Sequence, residues 1–175
     1  MPDGTSTLPV DLALTDPDPQ LLHDVDVVFH LAGIAHRRAR PDDYTRLNFE
    51  ASLRLARLAA RQGVKCFVFL SSVKAMGPAQ TDQPRAESDC TDPPDPYGLS
   101  KWRAECALRE EFADSAMSVV ILRPALVYGP GAKGNLRLLL RGVRAGMPRP
   151  PALGRRSMVA LQDLVELMCR IAEAP

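Results

Sequence analysis

The sequence lacks the features that would assign it to a membrane, a disulfide scaffold or a nucleic acid. No apolar run approaches the length a bilayer crossing needs, and Met1-Pro2-Asp3-Gly4 does not open a signal peptide. Cys66, Cys90, Cys106 and Cys169 are scattered, with no C-x-x-C and no neighbouring pair of histidines. They read as reduced thiols of a cytoplasmic protein, which argues against a disulfide frame and against a metal site. Net charge is +1, so no global attraction to nucleic acid or to a membrane surface is expected. There is no internal repeat and no low-complexity segment.

What is present is one domain's worth of chain. Its 175 residues are 46% apolar and 25% charged, the composition of an ordinary soluble globular protein with a substantial core. The count of 16 prolines is high, and they cluster in loops at Pro84 to Pro96 and Pro148 to Pro151, which hold seven of them. Residues 1–22 are polar and irregular. Val25 to Leu31 is a β-branched apolar run that stops at Ala32-Gly33, as a buried parallel strand does. Arg40-Pro41-Asp42-Asp43 can start a helix. Leu47, Leu53, Leu55, Ala56, Leu58 and Ala59 then repeat with helical period as far as Gly63. Cys66 to Leu70 reads as a second buried strand ending in Ser71-Ser72. A loop of about two dozen residues comes next, longer than a compact domain carries without a functional reason. A helix from about Tyr97 to Phe112, a third strand at Ser118 to Leu122, a helix at Asn135 to Arg144 and a last helix near Asp163 complete the order. Strands alternating with helices predict a doubly wound α/β fold: a parallel sheet, helices on both faces, and ligands at the C-terminal strand ends.

Those strand ends carry the chemistry. Leu31-Ala32-Gly33, Ser71-Ser72 and Arg123-Pro124 end the three strands, and Tyr97 and Lys101 sit on the helix between the second and third. Tyr97 and Lys101 are four apart and share a helix face. A phenol beside an ammonium is expected to have its pKa lowered, which suits proton transfer near neutral pH. Ser72 can bind a substrate oxygen while Tyr97 moves a proton, chemistry fit for interconverting an alcohol and a ketone with a nicotinamide as hydride carrier. Each group has a plainer reading. Tyr-x-x-x-Lys alone is usually a solvated helix surface, and Ser71-Ser72 can be a turn cap. His30 reads as a core or loop histidine, and His23 and His36 as surface residues. The run from Arg123 to Arg156 is basic and acid-free. Solvation accounts for most of it, with Arg156 the first candidate for a phosphate contact.

In order and spacing, Asp26 to Gly33, Asn48-Phe49-Glu50-Ala51-Ser52, Phe67 to Ser72, Tyr97-x-x-x-Lys101 and Arg123 to Gly131 resemble the extended short-chain dehydrogenase/reductase family. These are the NAD-dependent epimerases and dehydratases of nucleotide sugars. Leu70 to Gly77, Lys133-Gly134-Asn135 and Gly154 to Ser157 look nearest to bacterial UDP-sugar 4-epimerases and 4-keto reductases. The resemblance implies a Rossmann-like sheet, with residues 1–130 an incomplete dinucleotide-binding domain and 131–175 a partial substrate-binding region. It implies Ser72, Tyr97 and Lys101 as the catalytic set. Leu31, Ala32, Gly33, Asn48, Ser71 and Pro124 would line NAD (NADP left open), with Asp11 and Leu12 at its adenine. Asn135 and Arg156 would face the diphosphate of a UDP-sugar. It further implies a homodimer through the helix bearing Tyr97 and Lys101.

The match also has gaps. The family's first strand, its G-x-x-G-x-x-G turn and its second strand have no counterpart here, and the substrate region is short. The expectation is therefore a fragment, or a chain whose bared strand edge is covered by a partner or a swapped segment. Gly129-x-Gly131-x-x-Gly134 imitates a dinucleotide fingerprint. Pro130 removes a donor from it, however, and no acid lies between Asp114 and Asp163 to hold a ribose. Two rival readings stay open: a non-catalytic ligand-binding or regulatory module of the same fold, and an inactive piece of the enzyme.

Overall fold

β-branched and aromatic runs dictate the sheet. In the computed structural model, which describes residues 7–35, 39–78, 83–131, 135–148 and 157–175, they form β1 (Val27–His30), β2 (Cys66–Leu70) and β3 (Ser118–Leu122). The three pair in parallel in the order β1-β2-β3, with Val28 opposite Phe67 and Val68 opposite Val120. Central β2 is buried on both faces, from Cys66 through Phe69, as a parallel strand covered by helices must be. β1 is shorter than the run from Val25 to Leu31 predicts. The Asp26 carbonyl accepts the N–H groups of both Lys65 and Cys66, and Leu31 is exposed beyond the strand. Among the described residues, β1 is paired on one flank only.

The helix after β1 is one rod in three parts: α1 (Pro41–Tyr44), a π-helical stretch (Thr45–Glu50) and α2 (Ala51–Arg61). The Arg40 N–H donates to the Asp43 carboxylate at 3.2 Å, capping the start. In the π-helical stretch the Ala51 N–H reaches back to the Arg46 carbonyl, one residue further than an α-helix allows. α2 buries Leu53, Leu55, Ala56, Leu58 and Ala59, and Gly63 at φ +79° closes it. α3 (Pro96–Glu111) begins where the Asp95 carboxylate accepts the Gly98 N–H at 3.0 Å and Pro96 fills a position that needs no donor. These helices and the sheet share one core, with Phe67, Phe69, Ala104 and Leu108 fully buried at its centre.

Between β2 and α3 the chain makes a short 3-10 turn at Val73–Met76. Arg85 ties the loop back, donating to the carbonyls of Gly77 and Met76 at 2.8 and 2.6 Å. Gly77 has φ +71°, and a Cβ there would lie 2.3 Å from the Thr91 carbonyl oxygen. Gly77→Ala is therefore expected to cost about 1–3 kcal/mol, because backbone strain and the clash add. A urea midpoint unchanged from wild type would contradict this.

The chain divides into two compact units, residues 1–122 with Pro175 and residues 123–174. The second holds β4 (Leu126–Tyr128), α4 (Asn135–Arg144), β5 (Met158–Ala160) and α5 (Leu161–Glu173), with β4 and β5 in parallel. Both helices match the sequence reading; neither short strand was anticipated by it. Among the described residues no helix is long and apolar enough to cross a membrane.

Candidate active site

The end of β2 turns two serines in different directions. The Ser71 N–H donates to the Leu122 carbonyl at 2.7 Å, and its hydroxyl points inward to the Glu105 carboxylate. Ser72 caps the turn after the strand, accepting the Lys74 N–H at 3.2 Å, so the plainer reading of this pair as a cap is real. The Ser72 hydroxyl also neighbours the Tyr97 phenol and acts to lower its pKa. A serine and a tyrosine from distant parts of the sequence thus meet at a strand end.

The buried face of α3 supplies the rest, because Tyr97, Ser100, Lys101, Ala104, Glu105 and Leu108 recur at helical spacing. Tyr97 is half-buried, and its ring meets that of Tyr44 at 6.1 Å between centroids. Lys101 is 4% exposed; its ammonium donates to the Leu70 carbonyl at 2.8 Å and lies 4.4 Å over the Phe69 ring. Burial lowers its pKa to about 8, against the opposing pull of the Glu105 charge.

One expectation is corrected here. The helix spacing predicted that Lys101 would lower the pKa of Tyr97, yet the phenol is pushed up. Burial is the first cause; the Ser72 hydroxyl pulls the other way, and the charges of Asp95 and Tyr44 add to the rise. Lys101 spends its charge on Leu70 and Phe69, and the ammonium 5.8 Å over the Tyr97 ring is that of Lys74. Residue spacing fixes where two Cα atoms lie, not where a four-carbon stem ends.

After β1, Leu31, Ala32 and Gly33 are exposed. Asn48 pins the neighbouring Ile34: its carbonyl oxygen accepts the Ile34 N–H at 2.8 Å, and its amide donates to the Ile34 carbonyl and to Ser100 at 3.0 and 3.1 Å. A Cβ on Gly33 would lie 2.8 Å from that Asn48 oxygen and 3.5 Å from the Lys101 ammonium. Only glycine admits so close an approach. Asp11 is exposed and caps its own turn through the Ala13 N–H, while the Leu12 carbonyl accepts from Arg54 at 2.7 Å. Pro124 and Asn135 lie in the second unit, Pro124 between β3 and β4 and Asn135 as the first residue of α4. Arg156 and His36 lie outside the described residues, as does Gly134 of the false fingerprint. In the second unit, Tyr128, Leu136, Leu140, Arg137, Arg141 and Arg144 line a cavity of about 790 Å³. No cluster able to hold a metal occurs among the described residues.

His30 is a core histidine. Ser52 gives its proton to the Asn48 carbonyl, so at 2.8 Å its oxygen accepts from Nε2 of His30. Burial first, then the charge of Lys101, lowers the imidazole to about 4. Its neutrality in the fold therefore contributes stability in full above the ordinary value of 6.5. That contribution, about 3 kcal/mol, is lost as pH falls from there through about 4. His30→Gln keeps a donor but no titration, so its urea midpoint is expected to fall less between pH 7 and pH 4 than that of wild type. Parallel curves would dismiss the assignment.

Two groups of this site escaped the sequence reading. Glu105 is fully buried, though its four-residue spacing from Lys101 was a usable signal. Lys74 lies over Tyr97 from a loop, and no spacing rule points to it.

Comparison with known proteins places this geometry. The family model for the NAD dependent epimerase/dehydratase family matches residues 8–175. The chain is similar to a UDP-glucose 4-epimerase of Vibrio cholerae, 39% identical over 163 residues, covering 88% of this chain and 50% of the relative. It is similar in structure to MoeE5 in complex with UDP-glucuronic acid and NAD, with TM-score 0.76 and 29% identity over 95% of this chain and 56% of that one. A UDP-N-acetylglucosamine 4-epimerase from Methanobrevibacter ruminantium M1 gives TM-score 0.77 and 25% identity over 93% and 56%. The chain thus spans about half the length of the relatives it matches.

Proposed function

This chain belongs to the NAD dependent epimerase/dehydratase family, and on that premise we propose that it carries the catalytic set of a nucleotide-sugar epimerase, dehydratase or keto-reductase acting at sugar C4. The observation that carries the reading is the approach of the Ser72 hydroxyl to the Tyr97 phenol at a parallel strand end, with the Lys101 ammonium buried against the same strand. A UDP-sugar is the substrate class, since the relatives are UDP-sugar epimerases by name.

Tyr97, whose burial favours the protonated phenol, donates to the sugar oxygen when a 4-keto group is reduced. Donation leaves a tyrosinate, which the Ser72 hydroxyl steadies, and in the opposite direction that tyrosinate takes the proton back from the sugar hydroxyl. Ser72 also orients the sugar oxygen toward the phenol. Lys101 stays an ammonium through neutral pH, below its value of about 8, and places positive charge behind the site. NAD, when bound, supplies the hydride acceptor and donor. This chain's residues fit its nicotinamide side: Leu31, Ala32 and Gly33 are exposed, and Gly33 keeps clear the space where a Cβ would lie 3.5 Å from the Lys101 ammonium. Asn48 and Ser71 serve it by shape, holding the two strand-end loops. Asp11, Leu12 and Pro124 complete the proposed cofactor contacts. Asn135 and Arg156 are the proposed substrate contacts, and Arg137, Arg141 and Arg144 add basic groups suited to a diphosphate in the same unit.

The test is a fluorescence titration with NADH beside a calorimetric titration with UDP-N-acetylglucosamine. Saturable binding of both is expected; binding of neither defeats the reading. A second reading, a ligand-binding module without turnover, is favoured by the capping role that Ser72 already fills through the Lys74 N–H. It predicts indifference to Tyr97→Phe.

A further inference from the structure

The most deeply buried carboxylate of the site has had no task so far. α3 carries Glu105 one turn beyond Lys101 and leaves it 0% exposed. A carboxylate so placed needs compensating partners. It has them on three sides. The Ser71 hydroxyl donates to one oxygen, Arg109 brings a guanidinium within 3.8 Å of the other, and its charge acts on Lys101. The groups that face Lys101 can be named element by element. β1 offers His30, whose imidazole stays neutral; β2 offers the Leu70 carbonyl and the Phe69 ring; α3 offers Glu105 and, four residues back, Tyr97. Among the described residues, Glu105 is the carboxylate whose charge bears on that ammonium.

We infer that Glu105 is a positioning residue: its carboxylate anchors Ser71, and so the strand end bearing Ser72, while holding the buried Lys101 side chain in its charged form. The inference rests on the proposed roles of Ser72, Tyr97 and Lys101. It makes one buried group answerable for both the place of the serine turn and the charge of the lysine. Without that anion, burial would act on the ammonium uncompensated, and the amine would go neutral at a lower pH.

The experiment tracks the pH titration of the Lys101 side-chain carbon shift in protein labelled with carbon-13 lysine, the signal assigned with Lys101→Arg. In Glu105→Gln the midpoint is expected to move to lower pH by about one unit, roughly tenfold in the neutral fraction at a given pH. Glu105→Asp, which keeps the charge, is expected to restore it. A Glu105→Gln midpoint equal to wild type overturns the inference, and so does an equal shift in Glu105→Asp. Should Glu105→Gln fail to fold, Glu105→Asp decides alone: a wild-type midpoint supports the role of the charge, and one displaced by about one unit overturns it. An NADH titration run on the same samples separates the two readings. A shifted midpoint in protein that binds no NADH removes the proposed function and leaves the Glu105 role standing. An unshifted midpoint in protein that binds NADH does the reverse.

Discussion

Replacing Tyr97 by phenylalanine is expected to lower turnover of a nucleotide sugar by about 10²–10⁴-fold, the usual contribution of a placed general acid or base. Ligand binding should persist, since the substitution removes one hydroxyl and keeps the ring that packs against Tyr44. Ser72 would lose its phenol partner but remain the cap of Val73–Met76 through the Lys74 N–H, so the loop should hold. The expected signature is thus a collapse of kcat with little change in Kd. Turnover kept within a few-fold of wild type would remove Tyr97 from the chemistry and favour the binding-module reading. Loss of binding together with turnover would mean that the phenol's role is structural.

The largest stability effect is expected at Phe67. Its ring is 0% exposed in the middle strand, 5.8 Å from His30 between centroids and within the shared core of α2, α3 and the sheet. Phe67→Ala removes that volume where strands on both sides prevent collapse, and about 3–5 kcal/mol should be lost. Urea or guanidinium unfolding reads this directly, and a loss under about 1 kcal/mol would show that the site relaxes or that the packing is looser than the burial implies. Phe69 invites comparison because it is equally buried yet lies beneath the Lys101 ammonium. There Phe69→Ala would disturb the site as well as the core, whereas Phe67→Ala should leave the Lys101 midpoint nearly unchanged.

The sheet was legible because its signal is redundant. Cys66 to Leu70 and Ser118 to Leu122 are dominated by β-branched, aromatic and other apolar residues, and each became a strand with those bounds. The helices were readable from their apolar spacing and from punctuation such as Arg40-Pro41-Asp42-Asp43 and Gly63. Leu126–Tyr128 and Met158–Ala160 were not legible, since three residues cannot display a period. The π-helical turn was equally hidden, because one extra residue in a turn leaves no mark in the composition of Thr45 to Glu50. In the site, the meeting of Ser72 with Tyr97 came from strand-end logic. The inward turn of Ser71, the burial of Glu105 and the rise of the Tyr97 pKa depended on side-chain directions that a linear pattern does not carry.

The widened turn at Thr45–Glu50 makes this stretch sensitive to length more than to composition. Behind it, Ser52 and Leu53 are locked in the core; ahead of it, Tyr44 meets Tyr97. Dropping a single residue would let the rod run as a plain α-helix and swing its front by about 100°. Tyr44 would then leave the Tyr97 ring, although every remaining side chain would be unchanged. Substitutions at the exposed positions Arg46 and Glu50 should be accepted freely, while an insertion or deletion there should be felt at the phenol.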